Sequence, residues 1–445
     1  MRRFPIELIT LAVLCSLPFT QIQADDWPQW MGPRRDSIWR ETGIVKQFPK
    51  SGLKIKWRAK VGMGYSGPAV ADGKVYVTDY IKSSGKVTNN PGGRDKLEGT
   101  ERILCFDAQT GKPIWKHEYK RNYALSYPAG PRCTPTISGG KVYSLGAEGD
   151  LRCLDAKNGT PIWKKDLTKI YNVKTPIWGF SAHPLVDGNL LYCVIGGKGS
   201  VAVAFDKNTG REVWKSLSAS HPGYCPPTMI EHGGRKQLLV WHAESLNSLD
   251  PKTGKVYWST PLKPAYDMAI AAPRLSGDYL YACGMGHTAA LYKLNEEKPG
   301  VKLVWKGTTK TAVYGSNSTP IIDKGTIYGN DCHLGSLMAV NLKNGKRLWS
   351  TFQPTTGGNR RAGHATVFFV KNADRYFLLS ETGDLILAKL SPKGYEEISR
   401  FHVLEPTNFT FGRKVVWAHP AFANRCVYAR NDKELVCVSL AEKKN

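Results

Sequence analysis

The sequence predicts an all-β fold, an eight-bladed β-propeller of four-stranded antiparallel blades whose ring is closed by pairing N-terminal and C-terminal strands. Three observations predict it. A Trp recurs as Trp115, Trp163, Trp214, Trp258, Trp305 and Trp349, at intervals of about 44 to 51 residues, the repeat length of a propeller blade. Each good copy carries a Gly and an Asp or Asn at fixed offsets before that Trp. The two ends of the chain are complementary fragments of one repeat.

The repeat is clearest in 141–167, KVYSLGAEGDLRCLDAKNGTPIWKKDL. Apolar runs VYSL, LRCLD and TPIW are separated by GAEGD and AKNG, so the stretch reads as three strands joined by tight turns. The conserved spacing within the chain is Asp107, Asp155, Asp206, Asp250 and Asn341, each followed by Gly111, Gly159, Gly210, Gly254 and Gly345. An Asp at that place accepts backbone N–H groups of the turn, and the Gly takes the positive φ. The Asp is therefore read as a turn cap and not as a catalytic acid. The Trp falls on the following strand, where its ring can fill the gap to a neighbouring sheet.

The unit (A/L)xDxxTGxxxW resembles the PQQ-type β-propeller repeat, which quinoprotein dehydrogenases share with BamB-like assembly lipoproteins. The resemblance covers nearly all of the chain after residue 24. The string WPQWMGPRRD, with GYSGPAVADGKVY after it, resembles the start of secreted PQQ-like propellers of the planctomycete type.

In chain order, residues 1–24 read as a signal peptide. Arg2 and Arg3 precede an apolar run, and Ala24 precedes Asp25 and Asp26. The expected address is periplasmic or secreted. No other stretch approaches the roughly 20 apolar residues of a membrane span. Residues 25–52 form a Trp-rich extension with Trp27, Trp30 and Trp39, expected to pack on one face or the outside of the ring. The propeller is placed at 53–445. LKIKWRAKV at 53–61 reads as a lone fourth strand, and CVYARNDKELVCVSL at 426–440 supplies the strands it lacks. Closing the ring removes free sheet edges.

Blade starts fall at Pro68, Pro135, Pro184, Pro227, Pro273, Pro320, Ala365 and Pro420, which sets the count at eight. The seventh blade keeps its strands and loses its Trp. Residues 79–101 are polar and Gly-rich and read as a mobile surface loop within the first blade. Another long loop spans 405–416.

Lys and Arg number 62 against 37 Asp and Glu, a formal charge of +25. The lysines are spread over turns of most blades, which favours an anionic cell-surface ligand or a protein partner over nucleic acid. A monomer is expected. Nine cysteines follow the signal, several at the same strand position in different repeats, and read mostly as free, buried core filler, with one disulfide left open in an oxidising compartment.

Chemistry is expected where loops enter the innermost strands, because those loops gather at one mouth of the channel on a rigid scaffold. They carry Tyr65, Arg132, Trp178, His183, Tyr224, Tyr266, Asp267, Tyr314, Asn317, Arg361, His364, Trp417 and His419. Such a ring offers stacking surface and fixed positive charge to an aromatic or anionic ligand. His183, His364 and His419 hold comparable positions but lack an evident third ligand, so no metal site is assigned.

The resemblance implies a possible PQQ cofactor. In the dehydrogenases this planar tricarboxylate lies over a Trp, beside Ca²⁺ held by Glu, Asn and Asp, near an Asp base and adjacent cysteines. This chain has no adjacent Cys pair; Asp267 is the main carboxylate candidate for that set, Asn317 stands where the Asn ligand is wanted, and no Glu partner is evident. No catalytic residue is assigned. The sequence is read as an exported binding or scaffold module with its ligand or partner at the channel mouth. The alternatives are a PQQ-dependent oxidoreductase and a BamB-like outer-membrane assembly partner.

Overall fold

Alternating apolar runs joined by capped turns fold as antiparallel meanders, each too narrow to bury its own faces. In the computed structural model, which describes residues 25–358 and 360–442, eight such meanders stand round a central channel. The expected signal at 1–24, with Cys15, lies outside the described residues. The first blade comprises Ala69–Ala71, Lys74–Ser84, Asp95–Asp107 and Pro113–Lys120, in that order from channel to rim. The seventh, without an anchor Trp, keeps four strands from Val367–Asn372 to Gly394–His402.

The eighth blade joins both ends of the chain. Ala421–Ala423, Cys426–Arg430 and Glu434–Ser439 supply three strands, and Ile55–Lys60 adds the fourth. Trp57 lies opposite Cys437 and Arg58 opposite Val436.

The turn chemistry explains how blades are stitched together. Asp107 accepts the N–H groups of Gln109 and Thr110 at 3.0 and 2.8 Å. Asp155, Asp206 and Asp250 cap their turns in the same way. Each capped turn also presents its Gly to the Trp of the preceding blade. A Cβ on Gly159 would stand 2.5 Å from the Trp115 ring, and one on Gly210 would stand 2.8 Å from Trp163. The indole N–H then donates to a carbonyl in the same turn, from Trp115 to Ala156 at 3.1 Å and from Trp163 to Lys207 at 3.0 Å. The Gly thus provides both a positive φ and a flat seat for the ring. Trp349 keeps the indole bond, to the Ser391 carbonyl at 2.8 Å, without a Gly seat, and Trp258 loses both. The next blade's outer turn has Asn295-Glu296-Glu297-Lys298 in place of the Asp–Gly unit, and Trp258 donates instead to Gln237 of its own blade at 3.1 Å.

Two expected loops are strands. The ladder of the first blade runs on to Ser84 opposite Glu98, and Tyr123–Leu125 pairs with Asp95, Lys96 and Leu97. Tyr80, Leu97, Tyr123 and Leu125 are buried there, and the Tyr80 and Tyr123 rings stack at 4.0 Å. Burial of these four side chains turns most of 79–101 into a long hairpin, where a mobile loop was expected. Within 405–416, Asn408–Thr410 pairs with Arg413–Val415.

The Trp-rich extension spans the far end of the channel, where the innermost strands finish. Trp27 bridges to Val70, Pro28 accepts from the Ile137 N–H, and Ile38 bridges to Lys371. Between these anchors Trp30 enters the channel and stacks on His183 at 4.8 Å. Arg35 is buried and donates to the carbonyls of His183, Pro184 and Pro227. All nine described cysteines are buried free thiols. Among the described residues no helix is long and apolar enough to cross a membrane.

Candidate functional site

The opposite end of the channel is a cup. Each innermost strand is preceded by a loop that rises to this face, so the ring symmetry carries one side chain from every blade to the same place. Tyr65, Arg132, Trp178 and Tyr224 arrive from the first four blades, and Tyr266, Asn317, His364 and Trp417 from the last four. They enclose a cavity of about 540 Å³, the size of a small-molecule site.

The remaining expected residues lie elsewhere. His183 and His419 sit deeper, against Trp30, with their ring centroids 6.4 Å apart. The Thr134 N–H donates to His183 Nδ1 at 2.9 Å. Burial pushes the His183 pKa well below the usual imidazole range and lowers that of His419 to about 3. Both rings are therefore neutral at neutral pH. No group of three possible metal ligands occurs among the described residues. Tyr314 is fully buried, its hydroxyl donating to the Thr308 carbonyl at 2.5 Å. Arg361 points away and donates to the His333 carbonyl at 3.2 Å. Asp267 shares the turn of Tyr266 but does not line the cup.

Other lining residues were not among the thirteen. Tyr127 and Phe411 belong to the same aromatic loops as Arg132 and Trp417, which the sequence already places at the mouth. Ile177, Met268 and Ile270 carry no mark that separates them from core residues. Met285 comes from a second-to-third-strand turn, and Pro91 and Gly92 from the tip of the first-blade hairpin.

The wall is aromatic. Trp178 and Tyr224 pack at 5.5 Å, Tyr127 and Trp417 at 6.3 Å, and the His364 ring stacks on Phe411 at 5.0 Å. Burial lowers the His364 pKa to about 4. Arg132 is the one Lys or Arg side chain in the lining, and no Asp or Glu lines it. The guanidinium lies 5.2 Å from the Tyr65 ring centroid. It donates through Nε to the Trp178 carbonyl at 2.9 Å and through Nη2 to those of Ser126 and Tyr127 at 3.0 and 2.6 Å. Nη1 donates to the Gly130 carbonyl. Four of the five guanidinium N–H groups are thereby used. Arg132 has no carboxylate partner among the described residues. Glu381, behind the wall, is engaged by Arg413 at 2.6 Å and by the Trp417 indole N–H at 2.9 Å.

This donor set does not fit PQQ with its cation. Three carboxylates would face one guanidinium with a single N–H to spare. A hard cation needs several oxygen ligands, and the lining offers the Asn317 amide without a carboxylate. The cup suits a flat apolar body, but it lacks the groups that hold and activate that quinone.

A family model described as outer membrane protein assembly factor BamB matches residues 99–351. No curated protein matches the sequence. Among solved structures, BamB from Moraxella catarrhalis is 15% identical, with a TM-score of 0.57 over 88% of this chain and 99% of that one. A europium-containing methanol dehydrogenase is 13% identical, with a TM-score of 0.60 over 93% and 89%. The quinohemoprotein alcohol dehydrogenase from Comamonas testosteroni is 14% identical, with a TM-score of 0.59 over 94% and 81%. At these identities the likeness is one of fold.

Proposed function

Because the chain belongs to the PQQ-type propeller family described as outer membrane protein assembly factor BamB, a fold built for display and not tied to one chemistry, we propose that it is an exported binding module whose site is the mouth cup. One observation carries this reading. All eight blades deliver a side chain to one aromatic cavity whose lining has one guanidinium, the single imidazole of His364 and no carboxylate, and no group of three possible metal ligands occurs among the described residues. A rigid ring presents these rings without further ordering, which keeps the entropic cost of binding low. Export rests on the charged and apolar start of the sequence at 1–24.

The neutral dye N-phenyl-1-naphthylamine tests the cup. Its fluorescence should rise on binding at one saturable site per chain, and Trp178→Ala with Trp417→Ala should weaken that binding at least tenfold. Unsaturable binding, or binding indifferent to both substitutions, sinks the reading. Purified protein given PQQ and Ca²⁺ should not reduce dye with alcohols or sugars, and turnover there would restore the oxidoreductase alternative.

A further inference from the structure

We infer that the cup is a roofed chamber selective for a small aromatic monoanion. This rests on the binding-module reading and names the ligand class of the same site. Size and closure come first. The tip of the first-blade hairpin, 85–94, lies over the mouth and places Pro91 and Gly92 in the lining. Three separate loops hold it there. Asn89 Nδ2 donates to the Phe409 carbonyl at 2.7 Å, and Ser126 Oγ donates to the Asn90 carbonyl at 2.6 Å. The Arg94 guanidinium donates to the carbonyls of Ala124 and Thr175 at 2.7 and 2.8 Å. At the other end, Trp30 fills the channel beneath His183 and His419. A cavity stopped below and partly covered above suits a small molecule better than the broad surface of a folded partner.

Charge then selects. Arg132 is held by four backbone carbonyls and the Tyr65 ring, so its positive charge stands in a mostly apolar wall without a carboxylate partner. An unpaired charge in such surroundings is costly, and an anion beside it removes that cost. One N–H remains to receive it. A single carboxylate or sulfonate satisfies this inventory. A second anionic group would find no second cation in the lining, only neutral groups such as the Ser181 hydroxyl and the Asn317 amide among apolar side chains. The rings of Trp178, Tyr224, Tyr127 and Trp417 supply faces on which a flat ligand body can stack.

The test displaces bound N-phenyl-1-naphthylamine from the wild-type chain with three naphthalenes of similar shape. 2-Naphthoate should displace it at concentrations at least tenfold lower than neutral 2-naphthamide, and naphthalene-2,6-dicarboxylate should be weaker than the monoanion. Arg132→Gln should erase the preference for naphthoate over naphthamide while keeping naphthamide binding, and Arg132→Lys should restore part of it. Equal displacement by all three, or best displacement by the dianion, overturns the monoanion inference and leaves the cup as a binding site. Failure of every naphthalene, together with the absence of saturable dye binding, overturns both. The wild-type series decides the matter even if Arg132→Gln does not fold.

Discussion

The two ends of the channel are built from the same parts and are finished differently. Each has an indole packed on a ring at a blade start, an arginine bonded to backbone carbonyls, and at least one imidazole whose pKa burial lowers, His364 at the mouth and His183 with His419 at the far end. At the far end the chain supplies its own filler, and Trp30 and Arg35 of the extension are buried against His183, Pro184 and Pro227. At the mouth Trp178 and Arg132 are half-buried and face open volume. The same chemistry is spent on stability where the chain covers it and is left free for a ligand where it does not.

Indole truncation at the two ends gives the largest expected difference. Trp30→Ala removes a fully packed ring and should lower unfolding stability by about 3–5 kcal/mol. Trp178→Ala loses mainly its contact with Tyr224, a pair worth about 1 kcal/mol, and should chiefly lose ligand binding. Urea unfolding of both variants, with dye titration of Trp178→Ala, reads this directly. A Trp178→Ala variant as unstable as Trp30→Ala would show that the mouth is structural.

Titration sharpens the contrast further. His419 at the far end has its pKa lowered to about 3, against about 6.5 in the unfolded chain. The unfolded state therefore binds the extra proton first as pH falls. Stability contributed by the neutral ring is complete above pH 6.5 and is lost progressively down to about pH 3. The stability advantage of wild type over His419→Gln should shrink by about 1.4 kcal/mol for each pH unit below 6.5. Urea midpoints at pH 7.5, 6.0 and 5.0 measure the slope, and a constant difference would mean that His419 titrates normally in the folded protein.

Much of this was legible because repetition amplifies weak signals. The Asp–Gly–Trp spacing recurs often enough to fix the blades, and the unmatched ends at Trp57 and Val436 fix the closure. The rule that each blade sends one loop residue to the mouth placed most of the cup. It missed the side chain where loop backbone, which has no period, decides direction. In the sixth blade Tyr314 turns under to Thr308 and Asn317 takes the wall position. In the seventh, His364 adopts φ 60° and faces the cup while Arg361 reaches outward to His333. The roof was illegible for another reason. Its place depends on the length of a ladder held by Tyr80 and Leu97, too few apolar residues in a polar stretch to read as strands.

Tyr266 sets the smallest and most discriminating expectation. It lines the cup, is 74% exposed, and holds φ 56° in the left-handed region. A non-glycine residue there costs about 1–2 kcal/mol, and the exposed ring returns little of that through packing. Tyr266→Gly relieves the backbone strain but gives the unfolded chain more freedom, a loss of about 0.4–1 kcal/mol. The two terms partly cancel, so stability should stay the same or rise by no more than about 1.5 kcal/mol. Binding should not be spared, because a wall ring disappears, and affinity for 2-naphthoate should fall about threefold to tenfold, in keeping with the worth of one aromatic contact. Melting temperature and dye displacement on one preparation separate the effects. A marked loss of stability with unchanged binding would place Tyr266 in the framework, whereas weaker binding at constant stability would show strain retained for the sake of the ligand.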